Sequence, residues 1–169
     1  KEFHNKENME FYVRYLDDNF PKSHVLIIDH PKRYNLMALE ETTEEEALRR
    51  IRINSDNLAY MLSPLTANTS VAVDRFLDFW DENSEVNLRL LKESYERDQL
   101  FREDCQGFVN LFLEGAQKRR KSEEKDLIPE LKDYFLEELA LLSSISLIFP
   151  LVEVYPGKTE LEERLYGDA

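Results

Sequence analysis

The run Val25-Leu26-Ile27-Ile28, entered from His24 and closed by Asp29, constrains the fold of this chain more than any other segment. Four consecutive apolar residues, three of them β-branched, leave no polar face for water. A strand built from them has to be covered on both sides, the habit of parallel sheets whose crossovers carry helices. Before it, Met9, Tyr12, Val13, Leu16 and Phe20 recur at helical spacing over Lys6 to Phe20, and Pro21 closes that segment. After it, Thr43 and Glu46 have the spacing of a capping box. They open a helix that runs through Ala47, Leu48, Ile51, Leu58, Met61 and Leu62 to Pro64. Helix, strand and helix again is the pattern of an α/β domain.

Further along, Ser70 to Val73 predicts a second strand, and Ser84 to Leu113 one long helix with Leu88, Leu91, Tyr95, Leu100, Phe108, Val109 and Phe112 on its apolar side. The charged stretch Gln117 to Asp126 predicts a surface loop, and Leu127 to Leu142 a helix with a nearly continuous apolar end. Ile148 to Tyr155 predicts a last strand, with Pro150 near an edge or bend, before a Pro156-Gly157 turn. Thr159 caps a short final helix, Glu160 to Tyr166. Two or three strands are few for an open parallel sheet. The chain also opens on Lys1 with no initiator methionine or signal-peptide pattern. The expectation is a single domain over residues 1–169 that lacks at least one strand at its N-terminus.

Several function classes drop out on composition and spacing. The single cysteine, Cys105, rules out an internal disulfide and suits a reducing cytoplasm. The longest apolar candidate, Leu139 to Val154, is interrupted by Ser143, Ser144, Ser146, Pro150 and Glu153, so no membrane span is expected. His4, His24, His30 and Cys105 have no paired ligand spacing, so no metal is expected, and without a Gly-rich phosphate loop no nucleotide cofactor is either. Cys105 sits between Asp104 and Gln106 in a helical stretch, where a thiolate is disfavoured. The net charge of −13 argues against a nucleic-acid partner. Two local clusters run the other way: Arg49, Arg50 and Arg52, and Lys118, Arg119, Arg120 and Lys121. For each, the first reading is a solvated helix end.

One constellation could carry chemistry. Tyr134 and Glu138 are four residues apart and share a helix face beside Phe135, Leu139, Ala140, Leu141 and Leu142. A carboxylate placed there must find a partner or change its protonation. Tyr155-Pro156 ends the last predicted strand, on the side of the sheet where α/β folds bind ligands. The plainer alternative makes Glu138 a surface acid and both tyrosines part of the core rim.

In order and spacing these segments resemble the cyclodipeptide synthases, over Phe3 to Leu165. The likeness is carried by Tyr134-Phe135-Leu136-Glu137-Glu138-Leu139, by Val154-Tyr155-Pro156 with Leu161 and Leu165, and by His24 to Asp29 followed by Tyr34-Asn35-Leu36-Met37-Ala38-Leu39. The resemblance implies a Rossmann-like parallel sheet flanked by helices, similar to class Ic aminoacyl-tRNA synthetase catalytic domains. It also implies a cytoplasmic enzyme that joins two aminoacyl-tRNAs, taken one after the other, into a cyclic dipeptide through an aminoacyl-enzyme. On that basis Glu138 and Tyr134 hold the substrate ammonium group and Tyr155 relays a proton. Leu26, Ile28 and Leu141 line the first side-chain pocket, and Tyr155-Pro156 matches the family's Tyr-Pro subgroup.

Two departures stand out. Lys1-Glu2-Phe3 occupies the stretch where the family carries Ser-Tyr-Phe after its nucleophilic serine, so that serine is outside the chain or absent. The family's densely basic tRNA helix is matched here by Arg49, Arg50 and Arg52 followed by Asn54, Ser55, Asp56 and Asn57, and Lys118, Arg119 and Arg120 are expected to supplement it. The alternatives are a catalytically silent relative that binds aminoacyl-tRNA or a protein, and a helical interaction domain without a ligand.

Overall fold

A computed structural model of the chain describes residues 6–40, 42–116 and 128–149. Helix α1 (Lys6–Asn19) leads into strand β1 (Ser23–Ile27). Helices α2 (Lys32–Glu40) and α3 (Glu44–Thr66) then return the chain to strand β2 (Val71–Arg75). A single turn, α4 (Phe76–Phe79), precedes α5 (Glu82–Arg97), α6 (Gln99–Ala116) and α7 (Ile128–Ile145).

β1 and β2 are parallel, in a register that runs from Ser23 opposite Val71 to Ile27 opposite Arg75. Parallel neighbours need a long crossover, which α2 and α3 supply. The two-residue period of a strand then divides the side chains between two layers. Val25, Ile27, Val71 and Val73 pack with Met9 and Val13 of α1 and Leu62 of α3. Leu26 and Ile28 pack on the other side with Phe76 and Phe79 of α4 and Leu141, Leu142 and Ile145 of α7. Both faces of the apolar run are therefore covered.

α7 is the central helix. Besides its sheet-facing residues, it turns Phe135, Leu136, Leu139 and Ala140 toward Leu88 of α5 and Cys105 of α6. Leu131 meets Ala38 of α2 and Val109 of α6. Phe108 and Phe135 stack closely, with centroids 4.0 Å apart and ring planes 19° from parallel. A polar seam joins α7 to α5: Ser84 and Ser144 hydroxyls lie 3.0 Å apart, and Asn87 Nδ2 donates to Ser144 Oγ at 3.1 Å.

Several elements differ from the expectations. The stretch from Ser84 to Leu113 is two helices, because Asp98 is extended (φ −100°, ψ 113°) and ends α5. Its carboxylate accepts from the amides of Leu100 and Phe101, and Arg102 donates to the carbonyls of Tyr95 and Glu96. The side chains of Asp98 and Arg102 thus satisfy backbone groups that a break would otherwise orphan. The helices α2 and α4 lie where no helix was expected. Thr43 caps α3 by accepting from the Glu46 amide, but the Glu46 side chain pairs with Arg49. α3 continues two residues past Pro64. Ile148 and Phe149 are not in a strand, since their amides donate to Ile145 O in a turn that tails off α7. The remainder of that expected strand, the final turn and helix, and the loop after α6 fall outside the described residues.

Leu136 is fully buried at the centre of α7, so truncating it leaves a cavity in the core. Leu136→Ala is expected to lower the unfolding free energy by about 2–5 kcal/mol, read from urea denaturation.

Candidate functional site

At the carboxyl end of β1 the chain leaves the sheet through Asp29 and His30, both held in place. The Asp29 carboxylate accepts from the His30 amide at 2.8 Å and lies 4.0 Å from Arg75 at the end of β2. Arg75 in turn reaches Asp56 of α3. The His30 ring lies over Phe76 at 6.0 Å, and Phe76 stacks on Trp80 at 5.1 Å. Burial, reinforced by the Arg33 charge, pushes the His30 imidazole below its usual range.

Next to it lies a closed ionic network. Arg33 opens α2, is 6% exposed, and uses all five of its N–H donors. Nη1 donates to Glu137 Oε2 at 2.8 Å and to the His30 carbonyl at 3.1 Å. Nη2 donates to Glu137 Oε1 at 2.6 Å and to the Tyr34 hydroxyl at 2.8 Å, while Nε donates to Glu44 at 3.1 Å. The Tyr34 hydroxyl passes its own proton toward Glu137 Oε1 at 2.9 Å. Burial works against the Arg33 charge, but the Glu137 carboxylate outweighs it and holds the guanidinium above its usual range. Burial and the same carboxylate push the Tyr34 phenol up.

The sequence-based candidates distribute as follows. Tyr134 and Glu138 lie on α7, both partly buried, Tyr134 against the Leu88–Cys105–Phe135 cluster. With Leu141 and Ile145 they follow the spacing of one helical stripe. Leu141 on that stripe meets Leu26 and Ile28 in a single apolar cluster, so the three expected pocket residues do come together. Arg49, Arg50 and Arg52 lie near the start of α3, where Arg49 pairs with Glu46 and Arg50 with Glu40, each at 2.8 Å. Tyr155, Pro156, Lys118, Arg119 and Arg120 lie outside the described residues. Cys105 is buried in α6, and burial followed by Asp104 pushes its thiol up to about 12, so it is no nucleophile at neutral pH.

Sequence reasoning gave Arg33, Tyr34, Glu137 and His30 no role in the site, although Tyr34 and Glu137 lie in the segments that carry the resemblance. The signal available was Glu137 itself, an acid beside the apolar residues Phe135, Leu136, Ala140 and Leu141 of α7, which on burial needs a partner. Among the described residues, no three His, Cys, Asp or Glu side chains converge as a metal site, and no helix is long and apolar enough to cross a membrane. The surface hollows along α5, lined by Leu90, Glu93, Arg97 and their neighbours, contain none of the candidate residues.

Comparison with solved structures identifies the fold. The chain superposes on a cyclodipeptide synthase from Staphylococcus haemolyticus with a TM-score of 0.75 at 17% identity, covering 97% of this chain and 77% of that one. A cyclodipeptide synthase from Fluoribacter dumoffii gives 0.74 at 15% identity, with 84% and 66% covered. One from Bacillus thermoamylovorans gives 0.68 at 18% identity, with 82% and 63% covered. The chain thus spans about two thirds of the length of two of these enzymes. No family model and no curated protein matches the sequence.

The His30 environment has a consequence for stability. A histidine whose folded value is depressed takes up its proton more readily in the unfolded chain, so stability is lost as pH falls below the ordinary value of 6.5. The drop in urea midpoint between pH 8 and pH 5.5 is expected to be smaller in His30→Gln than in the parent, all other titrating groups being common to both.

Proposed function

We propose that this chain is the α/β body of a tRNA-dependent cyclodipeptide synthase, an aminoacyltransferase that takes two aminoacyl-tRNAs in succession and releases a cyclic dipeptide. The observation that carries the reading is the fold, which solved cyclodipeptide synthases share at TM-scores up to 0.75 over as much as 97% of this chain. It is supported by the α7 stripe, in which Tyr134 and Glu138 are followed, one turn on, by a leucine packed on Leu26 and Ile28.

In this reading a serine upstream of Lys1 attacks the ester carbonyl of the first aminoacyl-tRNA, and the tRNA leaves as its 3′-terminal alcohol. Glu138 and Tyr134 hold the ammonium group of the bound aminoacyl moiety, a charge-assisted contact that fixes the carbonyl for attack. The apolar cluster of Leu26, Ile28 and Leu141 receives the first side chain. The amine of the second aminoacyl-tRNA then attacks the acyl-enzyme to form the dipeptide bond and return the serine. The free amine of the dipeptide closes the ring by displacing the second tRNA. Tyr155 relays a proton in these amine attacks, and Pro156 completes that end of the site. Arg49, Arg50, Arg52, Lys118, Arg119 and Arg120 contact tRNA phosphates.

A second reading, a silent relative that binds aminoacyl-tRNA without chemistry, draws on one observation. Two of the three α3 arginines are already engaged by Glu46 and Glu40. Cyclic dipeptides in the medium of bacteria expressing the full-length native gene, measured by mass spectrometry, discriminate the two. Product from the parent that falls at least about 100-fold in Glu138→Gln and Tyr155→Phe is the expected result, given the size of such positioning and proton-transfer effects. A folded parent that carries the upstream serine, binds aminoacyl-tRNA and makes no product belongs to the silent reading.

A further inference from the structure

The carboxylates of Glu137 and Glu138 leave α7 about 100° apart around its axis, as successive residues must. They therefore serve different neighbours. Glu137 is 7% exposed and gripped at both oxygens by one guanidinium, with a phenol as third donor. Because Arg33 has no donor left over, this network is closed to a ligand. What it does instead is join three elements: α7 through Glu137, the first turn of α3 through Glu44, and the exit of β1 through the His30 carbonyl. Apolar contacts also reach α7 from these neighbours, but burial is non-directional, whereas hydrogen bonds to a planar carboxylate demand one orientation.

From this we infer that Glu137 and Arg33 are positioning residues that set the rotation of α7, and with it the aim of Tyr134 and Glu138 at the substrate ammonium. The inference rests on the aminoacyl-transfer reading above. A planar fork against a planar carboxylate holds in one orientation. On a helix of radius about 5–6 Å, a rotation of about 10° carries a side-chain tip through about 1 Å. A misplacement of that size at a reacting centre can cost about 100-fold in rate.

The test separates orientation from stability. Removing one partner of a buried pair strands the other charge, whereas replacing both with apolar side chains of similar volume often leaves stability unchanged. In the purified full-length protein, the double variant Arg33→Met/Glu137→Met is expected to keep a thermal midpoint near the parent's while kcat for cyclic dipeptide formation falls about 10- to 100-fold. KM for aminoacyl-tRNA stays within about threefold, since the tRNA body is held elsewhere. Tyr34→Phe, which deletes one hydroxyl from the network without opening a cavity, is expected to lower kcat about threefold with unchanged circular dichroism, and it carries the test if the double variant does not fold. Parental kcat in a folded variant, or a loss confined to KM, overturns the positioning role while leaving the proposed function standing. A parent that makes no product overturns both.

Discussion

A helix buried on every side poses a problem that an amphipathic surface helix does not. Its apolar residues point in all directions, so the hydrophobic effect holds it in the core but says little about its phase. In α7, Leu131, Phe135, Leu136, Leu139, Ala140, Leu141, Leu142 and Ile145 are all buried, against the sheet, α2, α5 and α6. The polar contacts on the same helix supply direction. Glu137 meets Arg33 on α2, and Ser144 meets Ser84 and Asn87 on α5. The energetics agree with this division. A buried ion pair adds little net stability over an apolar replacement, because desolvation offsets most of the attraction. Its geometric demand is undiminished.

The same helix explains how so small a sheet supports a site. The described sheet has two strands; α1 and α3 cover one face of both, and α4 and α7 cover the other face at β1. Strand alternation sends Leu26 and Ile28 toward α7 and leaves Asp29 and His30 at the carboxyl end. Parallel strands share their carboxyl ends, so whatever is gathered there is gathered from every strand and from the helix that crosses them. Arg75 at the end of β2 and Arg33 just past β1 are both drawn to acids at that edge.

What could be read in advance follows from how local each signal is. The apolar run at β1, the 3.6-residue period of α1 and α3, and the stripe of α7 are local patterns, and all became the expected elements. The break at Asp98 was missed because apolar spacing continues across it, while the capping by Asp98 and Arg102 depends on side chains that only the turn brings together. The partnership of Arg33 and Glu137 spans 104 residues and has no local trace. Only the energetic demand of a buried acid hints at it. The convergence of Leu26 and Ile28 with Leu141 was anticipated through resemblance, not from periodicity, since strand and helix lie more than a hundred residues apart.

On the proposed reading, a net charge of −13 has to be reconciled with a polyanionic substrate. The Arg33–Glu137 pair is buried and closed, so it contributes nothing to an outward field. The Arg49–Glu46 pair is different: Arg49 is 63% exposed, and such a surface pair is worth only about 0–1 kcal/mol. A phosphate arriving at Arg49 displaces a weak partner and gains the release of a counterion, a term that depends on local phosphate contacts and on salt rather than on total charge. Arg52, also exposed, forms no ion pair among the described residues. On the proposed reading, the glutamates beside α3 are weakly held partners that a tRNA phosphate can replace rather than a barrier to it. The cost of the acidic surface falls on the rate of encounter, where long-range repulsion slows the approach of a polyanion and salt relieves it.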